Sequence, residues 1–389
     1  MSGPLSGMRV IDWTHVLAGP ACAYHLGLLG AEVIKVERPG RGDAMRHRGG
    51  TDPDRAAAGM STAYLTQAAG KRSIEIDLET PEGFATMDRL LAGADVLVEN
   101  HRPSTLHRLG LADEVLTERY PRLVHCAMTG YGRGHELEDA PAYDVNIQAA
   151  SGLMALTGTE ASGPTRVGAP VIDYATALAA GMGVCAALLQ RESTGQGGLV
   201  DVSMLDTAFT LMSSTIIDHA LTGHEPKRRG NGANSRSPSA GTFDCAEGQL
   251  SLGVNEEAQF ERLAQALDRT HWLRDESFAT SADRHNNRER LGEEIERALQ
   301  ARTAEHWERC LLAAGVPAAA VRSLPDAVAA SSSSGRPFLI STEGEFSPTL
   351  PSRLEGVDVA TGAAERLGAS NELVEKLIAD RGPSRVSDA

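Results

Sequence analysis

A single carboxylate opens one of the most apolar stretches of the chain. Asp173 lies near the start of the segment VGAPVIDYATALAAGMGVCAALLQ (167–190), and no further charged residue follows before Arg191. A lone aspartate in apolar surroundings stands out as a candidate for chemistry. An aspartate at the start of a helix is also a common N-cap, because its carboxylate accepts hydrogen bonds from free backbone amides. On composition alone, the cap is the favoured interpretation.

The usual signatures of other chemistries are missing from the sequence. It contains neither the G-x-S-x-G motif of serine hydrolases nor a P-loop, and the turn THVLAGPA (14–21) does not match the G-x-G-x-x-G dinucleotide fingerprint. GYGRG (130–134) and GNGAN (230–234) only approach the glycine-rich loops that bind phosphate. The twelve histidines lack metalloenzyme spacing such as H-E-x-x-H, so no metal site is predicted.

Charge and cysteine content restrict the possible partners and the compartment. The 389-residue chain carries a formal net charge of -15 with no basic stretch that overrides it, which argues against nucleic acid or an anionic membrane as a partner. It has no apolar signal core near residue 1 and no run of 18 uninterrupted apolar residues. The scattered cysteines never form a C-x-x-C pair; they are Cys22, Cys126, Cys185, Cys245 and Cys310. This pattern predicts a soluble protein of the reduced cytoplasm.

Strand and helix patterns alternate through the N-terminal part of the chain. Short apolar runs predict strands at MRVIDW, AEVIKVE, RSIEIDL, DVLVEN, PRLVHCAMTGYG and, later, LVDVSML. The helices between them predict an α/β fold with a mostly parallel sheet that is covered on both faces. Ligands of such sheets bind at the carboxyl ends of the strands. The segments THVLAGP, ERPGRGD, ENHRPS and TGYGRG are therefore expected at the site.

Changes of composition predict the domain organisation. Residues 1–200 are expected to form a large α/β domain, and 201–225 a linker helix. A smaller α+β domain follows over 226–325 and begins with the polar loop HEPKRRGNGANSRSPSAG. Residues 326–352 are expected to be a Ser- and Pro-containing linker. Residues 353–389 then return to the large domain with one last helix at AAERLGASNELVEKLIADR.

Several segments in register resemble the class III CoA-transferase family, of the formyl-CoA transferase and carnitine CoA-transferase type. The resemblance begins with PLSGMRVIDWTHVLAGPACAYHLGLLGAEVIKVERPGRGDAMR. It continues, in the expected order, through GKRSIEIDLETPEG, ADVLVEN, RLVHCAMTGYG, AYDVNIQAASGLMALTG, RESTGQGGLVDVSMLD and AAGVPAAAV. It covers nearly the whole chain and weakens beyond residue 325. The resemblance implies a Rossmann-like large domain, a smaller α+β domain and an intertwined homodimer.

The resemblance implies that Asp173 is the nucleophile. Attack of this carboxylate on an acyl-CoA thioester gives a mixed anhydride, and the CoA thiolate can attack that anhydride to form an aspartyl-CoA thioester. Each step is reversible because no intermediate is much more stable than the thioester it replaces. The helix N-terminus is expected to keep Asp173 ionised at neutral pH, while the apolar surroundings remove its water. Coenzyme A is then a substrate, and no cofactor or metal is expected.

The resemblance also implies a CoA path along the strand ends. Arg38 and Arg108 suit the CoA phosphates, since a guanidinium matches phosphate geometry. Tyr143 and Asp144 correspond to the segment beside the reacting thioester, where a Tyr hydroxyl can bond a carboxyl group; a half-buried structural Tyr is the alternative. The set implied for CoA is Leu17, Ala18, Arg38, Ile76, Asp77, Leu78, Glu79, Asn100, His101, Arg102, Arg108, Tyr143 and Asp144.

One departure from the family leaves other functions open. The 2-methylacyl-CoA racemases share the fold but use a histidine where this chain has Tyr143, so one of two bases for proton exchange is missing. A racemase is the second hypothesis, and a non-catalytic CoA-binding paralogue is the third.

The other departure concerns the acceptor acid. The glycine run that closes over the active site of formyl-CoA transferase is replaced by RRGNGANSRSPSAG (228–241), which keeps Gly230 and Gly232. The cations of this region are Lys227, Arg228, Arg229 and Arg236. If the loop closes over a bound acid, a guanidinium can hold a second, distal carboxylate, because the first must stay free to attack. Dicarboxylic acids such as succinate or itaconate are then the expected acceptors, with plain surface charges as the alternative.

Overall fold

The computed structural model describes residues 3–233, 235, 237–357 and 361–380. The chain divides into two units. The first comprises Met1–Met154, Arg166–Pro226 and Ser331–Ala389, and the second comprises Ala155–Thr165 and Lys227–Ala330. The domain limits predicted from composition stay a prediction.

A six-stranded sheet forms the centre of the first unit. Its strands are β1 (Arg9–Trp13), β2 (Glu32–Glu37), β3 (Arg72–Glu75), β4 (Val96–Glu99), β5 (Val124–Thr129) and β6 (Gly198–Ser203). They lie in the order β3-β2-β1-β4-β5-β6, and every neighbouring pair runs parallel. Each coincides with a strand predicted from the sequence, and the α/β class is confirmed.

The order of the strands creates a crevice. From β1 the chain proceeds to β2 and β3 on one side, whereas β4 and β5 lie on the other side of β1. The loops that follow β1 and β4 therefore diverge at the carboxyl edge of the sheet. Such a topological switch point is where open parallel sheets bind their ligands.

Helices connect these strands and pack on both faces of the sheet. They are α1 (Ala18–Leu28), α2 (Pro53–Ala57), α3 (Thr62–Leu65), α4 (Pro81–Ala92), α5 (Pro103–Arg108), α6 (Asp113–Arg119), α7 (Asp144–Ala150), α8 (Leu153–Leu156), α9 (Val171–Thr194), α10 (Met204–Leu211) and α11 (Ser213–Thr222). Successive residues of β1 point into different cores. Val10 packs with α1 and α9, whereas Ile11 packs with α4, α5 and α6. This alternation is what a strand covered on both faces requires.

Helix α9 contains the apolar segment that begins at Asp173. One side of it is buried in the core through Ala177, Val184 and Leu188. The other side is exposed, with Met182 73% and Leu189 75% accessible. By length and composition alone the helix could cross a membrane, since its mean hydropathy reaches 1.6 over an 18-residue window. In this fold its buried side packs on the sheet, as a core helix does.

The second unit is a small α+β structure. Its strands β7 (Ala240–Asp244), β8 (Gln249–Gly253) and β9 (Ala318–Ala320) form an antiparallel sheet in that order. Its helices are α12 (Glu257–Ala266), α13 (Ser281–Asn286), α14 (Arg288–Leu299) and α15 (Ala304–Ala313), and α16 (Leu324–Ser332) follows. Phe260, Trp272, Leu291 and Leu311 form the centre of its core. The predicted combination of an α/β and a smaller α+β part is confirmed.

The chain beyond α16 has more structure than its composition indicates. The segment expected to be a linker contains a hairpin of β10 (Leu339–Thr342) and β11 (Glu345–Pro348). The final helix, α17 (Val374–Ala379), is shorter than predicted. Gly368 has φ +68°, and the Ser370 hydroxyl bonds the Glu365 carboxylate, so residues 367–370 form a turn, which a short 3-10 helix at Asn371–Leu373 connects to α17.

Residues of this last segment cover the edge of the sheet at β3. The Ser73 N–H donates to a carboxylate oxygen of Glu365 at 2.7 Å, and the Ser370 N–H donates to the Ser73 carbonyl at 2.9 Å. The Glu75 N–H donates to Oδ1 of Asn371 at 2.7 Å. Residues 365–371 thus bond to β3 along the edge that faces away from β2.

Candidate functional site

A cavity of about 310 Å³ lies at the switch point of the sheet. It is bordered by the turn after β1, the loop after β4, the end of β5, the segment before α7 and the start of α9. Its lining residues are His15, Val16, Leu17, Ala18, Asn100, His101, Arg102, Thr105, Met128, Thr129, Gly130, Glu138, Ala140, Pro141, Ala142, Tyr143, Asp173 and Met204. The segments THVLAGP, ENHRPS and TGYGRG contribute to this lining, whereas ERPGRGD does not.

Asp173 lines the cavity from the first turn of α9. The helix starts at Val171, so Asp173 is its third residue and not its cap. The cap comes from α7: Oδ2 of the buried Asp144 accepts hydrogen bonds from the N–H groups of Ile172 (2.7 Å) and Asp173 (3.2 Å). The other oxygen of Asp144 accepts one from Nε2 of Gln148. Because Asp144 satisfies these amides, the carboxylate of Asp173 is left for a ligand.

The electrostatic environment of Asp173 opposes its charge. Burial raises the pKa of Asp173 to about 7, and the nearby charge of Asp144 adds to the increase. The expectation that the helix N-terminus keeps Asp173 fully ionised at neutral pH is therefore wrong. The first amides of α9 are already bonded to a carboxylate, and desolvation outweighs what remains of the helix dipole. A carboxylate with a raised pKa is more basic than an exposed one, which favours nucleophilic attack.

A cluster of buried charges lies beside the turn after β1. Nζ of Lys71 lies 2.7 Å from Oδ2 of Asp12, and Nζ of Lys35 lies 3.7 Å from the same oxygen and 3.4 Å from Oδ2 of Asp43. Burial alone would raise the pKa of Asp12, but the two ammonium groups outweigh it and lower that pKa. Two cations and two anions balance, as buried charges require. A lysine within the strand AEVIKVE gave no sign of this cluster in the sequence.

His101 presents a neutral ring to the cavity. Burial lowers the pKa of His101 to about 4. The centroid of its ring lies 4.0 Å from that of Trp13 and 5.5 Å from that of His15. Within the part of the chain that the structure describes, its buried Nε2 has no hydrogen-bond partner. Buried polar atoms are nearly always paired, so this nitrogen is a candidate ligand contact.

Tyr143, Arg102 and Glu138 add polar groups to the cavity. Tyr143 is 60% exposed, so the alternative of a half-buried structural tyrosine does not apply. Arg102 is exposed at the start of α5 and brings a positive charge to the lining. Glu138 was missed by the sequence analysis, since no motif surrounds it. Its carboxylate accepts a hydrogen bond from the Gly134 N–H at 2.8 Å.

Several residues implied for CoA lie outside the cavity. Arg38 is exposed just after β2. Residues 76–79 form the turn between β3 and α4, where Oδ1 of Asp77 accepts a hydrogen bond from the Glu79 N–H. Arg108 pairs with Glu79, with 3.5 Å between nitrogen and oxygen. The structure thus brings seven predicted residues together at the cavity, namely Leu17, Ala18, Asn100, His101, Arg102, Tyr143 and Asp173. It leaves Arg38, Ile76, Asp77, Leu78, Glu79, Arg108 and Asp144 outside the lining.

The predicted substrate loop belongs to the second unit. Gly230 and Gly232 are exposed there. The Arg228 guanidinium donates to the carbonyl oxygens of Thr159 and Ala155 at 3.2 and 3.3 Å. Arg236 lies outside the described residues. The role of the loop in substrate binding stays a prediction.

The search for metal ligands gave no candidate. Among the residues that the structure describes, no three His, Cys, Asp or Glu side chains converge as a metal ion requires. The five cysteines are all free thiols.

Known proteins match this chain in sequence and in fold. Residues 5–361 match the family described as CoA-transferase family III. The chain is 33% identical to the succinyl-CoA:glutarate CoA-transferase of Homo sapiens over 330 residues, which cover 84% of this chain and 73% of that protein. It is 36% identical to the succinyl-CoA–D-citramalate CoA-transferase of Chloroflexus aurantiacus over 316 residues, which cover 81% of this chain and 77% of that protein. A CAIB/BAIF family protein from Brucella suis has a similar structure, with a TM-score of 0.86, 29% identity, and 97% and 100% of the two chains covered.

The fold and the cavity define an α/β protein with a ligand site at the switch point of a parallel sheet. The match over residues 5–361 is more specific: the chain belongs to CoA-transferase family III. The resemblance found in the sequence is confirmed, and the protein is a CoA-transferase that acts on CoA thioesters.

Proposed function

We propose that the protein transfers CoA from an acyl-CoA donor to a free carboxylic acid with Asp173 as the nucleophile. A carboxylate oxygen of Asp173 attacks the thioester carbonyl carbon, the C–S bond breaks, and CoA thiolate leaves. The thiolate then attacks the aspartyl carbonyl of the resulting anhydride, which releases the donor acid and leaves an aspartyl-CoA thioester. The acceptor carboxylate attacks that thioester, and the released thiolate takes the acceptor acyl group from the new anhydride.

The position of Asp173 carries this proposal. It lines the cavity at the switch point, its pKa is raised to about 7, and its helix is capped by a different carboxylate. A more basic carboxylate attacks a thioester faster, and the resulting anhydride remains reactive enough for thiolate to reopen it. His101 in the same cavity is uncharged, so it does not form an ion pair with the carboxylate of Asp173.

Trapping of the covalent intermediates tests the proposal. The purified protein is incubated with an acyl-CoA, treated with hydroxylamine or borohydride, and digested for peptide mass analysis. We expect the peptide that contains Asp173 to gain a hydroxamate or to be reduced at that residue. An unmodified peptide during measurable turnover contradicts the proposal.

The same protein sample distinguishes the two alternatives. A racemase exchanges the α-proton of a 2-methylacyl-CoA with solvent deuterium and needs no acceptor acid. A non-catalytic paralogue binds CoA without turnover. We expect transfer only when an acceptor acid is present and no deuterium at the α-carbon.

We further infer that the acceptor is a dicarboxylic acid. The relatives from Homo sapiens and Chloroflexus aurantiacus are named for glutarate and D-citramalate, both of which carry two carboxylates. One carboxylate must attack, so the other is free for a cation, and a charge-assisted pair is worth about 1.5–3 kcal/mol. Arg102 in the cavity lining and the cations at 227–236 are the candidates.

Competition between acceptors identifies the cation. The ratio of kcat/KM for succinate over butyrate is measured for Arg102→Ala, Arg229→Ala and Arg236→Ala. The variant that removes the contact is expected to lower this ratio by about one to two orders of magnitude. An unchanged ratio in the two loop variants contradicts the role predicted for the loop. If Arg102→Ala also leaves it unchanged, none of these arginines selects the acceptor.

We also infer a homodimer, in which the exposed side of α9 and the helices after it pair with a second copy. Large apolar side chains accumulate there; they are Leu178, Met182, Leu189, Phe209, Leu211, Ile217 and Leu221. Exposed apolar side chains in such number are typical of a subunit interface. Light scattering should give twice the chain mass for the protein and a smaller mass for Met182→Asp combined with Leu189→Asp. A monomeric parent protein contradicts this inference.

The cytoplasm is the proposed compartment. Five thiols without a disulfide suit a reducing environment. Activity and protein recovered from a soluble cell fraction would support this, whereas recovery from membranes would contradict it.

A further inference from the structure

The turn between β1 and α1 has a conformation that its sequence does not favour. Val16 has φ +70°, in the left-handed region that favours glycine. A β-branched side chain is especially unfavourable there, and such strain persists only where the surroundings enforce it. Val16, Leu17 and Ala18 form one wall of the cavity, so the residues that enforce this conformation also determine the position of that wall.

Side chains from three other segments hold the backbone of His15 and Val16. Asn100 makes two bonds to His15: its Oδ1 accepts from the N–H at 3.0 Å, and its Nδ2 donates to the carbonyl at 2.8 Å. The Val16 N–H donates to Oδ1 of Asp43 at 3.2 Å. The Val16 carbonyl accepts from Nε2 of Gln67 at 2.7 Å. Both donors and both acceptors of these two residues are thus bonded to side chains.

The buried charges extend this support to the ends of the turn. Nζ of Lys35 donates to the Thr14 carbonyl at 3.0 Å, and Nζ of Lys71 donates to the Pro20 carbonyl at 2.7 Å. The ammonium groups that neutralise Asp12 therefore also fix the two ends of the turn. Such a backbone is preorganised, and a preorganised cavity wall holds the substrate in a fixed position relative to the reacting group.

The resemblance implies that Asn100 is a CoA contact; we propose instead that it is a positioning residue, which acts on the reaction by holding the strained His15–Val16 turn. Oδ1 and Nδ2 of Asn100 each make one bond to His15, so the orientation of the side chain is fixed on the turn before a ligand arrives. Leu17 and Ala18 lie directly after the held residues and in the lining of the cavity that contains Asp173. This inference rests on the proposed function only for the role of Asp173.

The strain at Val16 makes this role measurable. Without Asn100, Val16 is free to relax to negative φ and to displace the residues that follow it. Glycine adopts φ +70° without penalty, so a chain with Val16→Gly has no such tendency. The substitution Asn100→Ala should therefore lower kcat more in the parent protein than in the Val16→Gly background. A direct ligand of CoA would lose the same contact in both backgrounds.

A double-mutant cycle with Asn100→Ala and Val16→Gly tests the proposal. In the parent background we expect Asn100→Ala to lower kcat about tenfold, as loss of two hydrogen bonds implies, with the KM for acyl-CoA changed less than threefold. In the Val16→Gly background the same substitution should lower kcat less than about threefold. Amide hydrogen exchange at residues 15–18 of the free protein should accelerate more in the first background than in the second.

A matched control separates positioning from stability. Asn287 also joins two segments, since its Nδ2 donates to the carbonyls of Ser277 (3.2 Å) and Asp283 (2.9 Å) in the second unit. Asn287→Ala should lower the midpoint of thermal unfolding without changing kcat. Equal losses of kcat in both backgrounds, or a rise in KM alone after Asn100→Ala, would overturn the proposal. An inactive parent protein would contradict the proposed function, while the hydrogen-exchange result would still test the turn.

Discussion

The turn after β1 and the described start of the polar loop, residues 224–233, are held in opposite ways. In the turn, every backbone polar group of His15 and Val16 is bonded to a side chain from elsewhere, and the supporting charges are buried. In the loop, Lys227 and Gly230 are exposed, and Arg228 donates to the backbone carbonyls of Thr159 and Ala155. Neither residues 14–17 nor residues 224–233 form a helix or strand, so secondary structure alone does not separate the two segments.

The difference indicates which segment suits the chemistry and which suits the choice of substrate. Attack on a thioester carbonyl depends on the separation of reacting atoms to within about an ångström, so the cavity wall benefits from a fixed backbone. Selection among acids requires side chains that differ between related enzymes, and exposed loops tolerate such change. Substitutions in the two segments should therefore have effects of different size and kind.

Asp173→Asn should have the largest effect. The amide has nearly the same shape but cannot form an anhydride, so kcat should fall on the order of 10⁴-fold or more. The Kd for CoA, measured by calorimetry, should change little because the cavity is intact. A variant that retains more than a few per cent of the activity would show that the nucleophile lies elsewhere.

Lys71→Met should have the largest effect on stability. It leaves Asp12 without its nearest cation, and breaking a buried ion pair costs about 3–5 kcal/mol. Urea unfolding measures the loss. Adding Asp12→Leu removes the unpaired charge and should restore part of the stability. An exposed-loop variant as destabilising as Lys71→Met would contradict the contrast between the two segments.

The pH dependence of the reaction should report Asp173. Since burial and Asp144 raise the pKa of Asp173 to about 7, its ionised fraction, and with it kcat/KM, should fall below pH 7 about tenfold per pH unit. Asp144→Asn removes one negative charge, so the midpoint should move to lower pH. The same raised pKa stabilises the folded state below pH 3.8, and that stabilisation is lost as the pH rises through about 7. A midpoint that is unchanged in Asp144→Asn would mean that another group controls the rate.

Arg228→Ala in the loop should have the smallest effect. Its guanidinium is partly exposed and bonds only two carbonyl oxygens, so the free energy of unfolding should change by less than about 1 kcal/mol. Reaction with a monocarboxylate acceptor should proceed at nearly the parent rate. A loss of stability close to that of Lys71→Met would show that the loop is a structural element.

The sequence predicted those features that depend on local patterns. Apolar runs identified all six strands of the parallel sheet, and the strand ends identified the segments that line the cavity. Helix α4 begins with residue types that are typical of a helix start: Pro81 is its first residue, and the Thr80 hydroxyl accepts a hydrogen bond from the Gly83 N–H. Each of these features is determined by a few neighbouring residues.

The features that the sequence did not reveal depend on distant contacts. Asp144 caps a helix that starts 27 residues later, and Asn100 bonds a residue 85 positions away. For Asp173 the local rule, a favourable helix dipole, was outweighed by burial and by the charge of Asp144. The sequence gave no sign that Lys35 in AEVIKVE is buried and paired, because its partners Asp12 and Asp43 are not adjacent to it in the sequence.

The pairing of β3 with residues 365–371 bears on how the protein folds during synthesis. The bond between Ser73 and Glu365 joins residues 292 positions apart. Until Asn371 has left the ribosome, β3 has an open edge that can pair with strands of other chains, and such edges promote aggregation. Contacts this distant in sequence also form late, because closing a long loop has a high entropic cost. Assistance from a chaperone that shields this edge would therefore be useful from the synthesis of β3 until residues 365–371 have emerged.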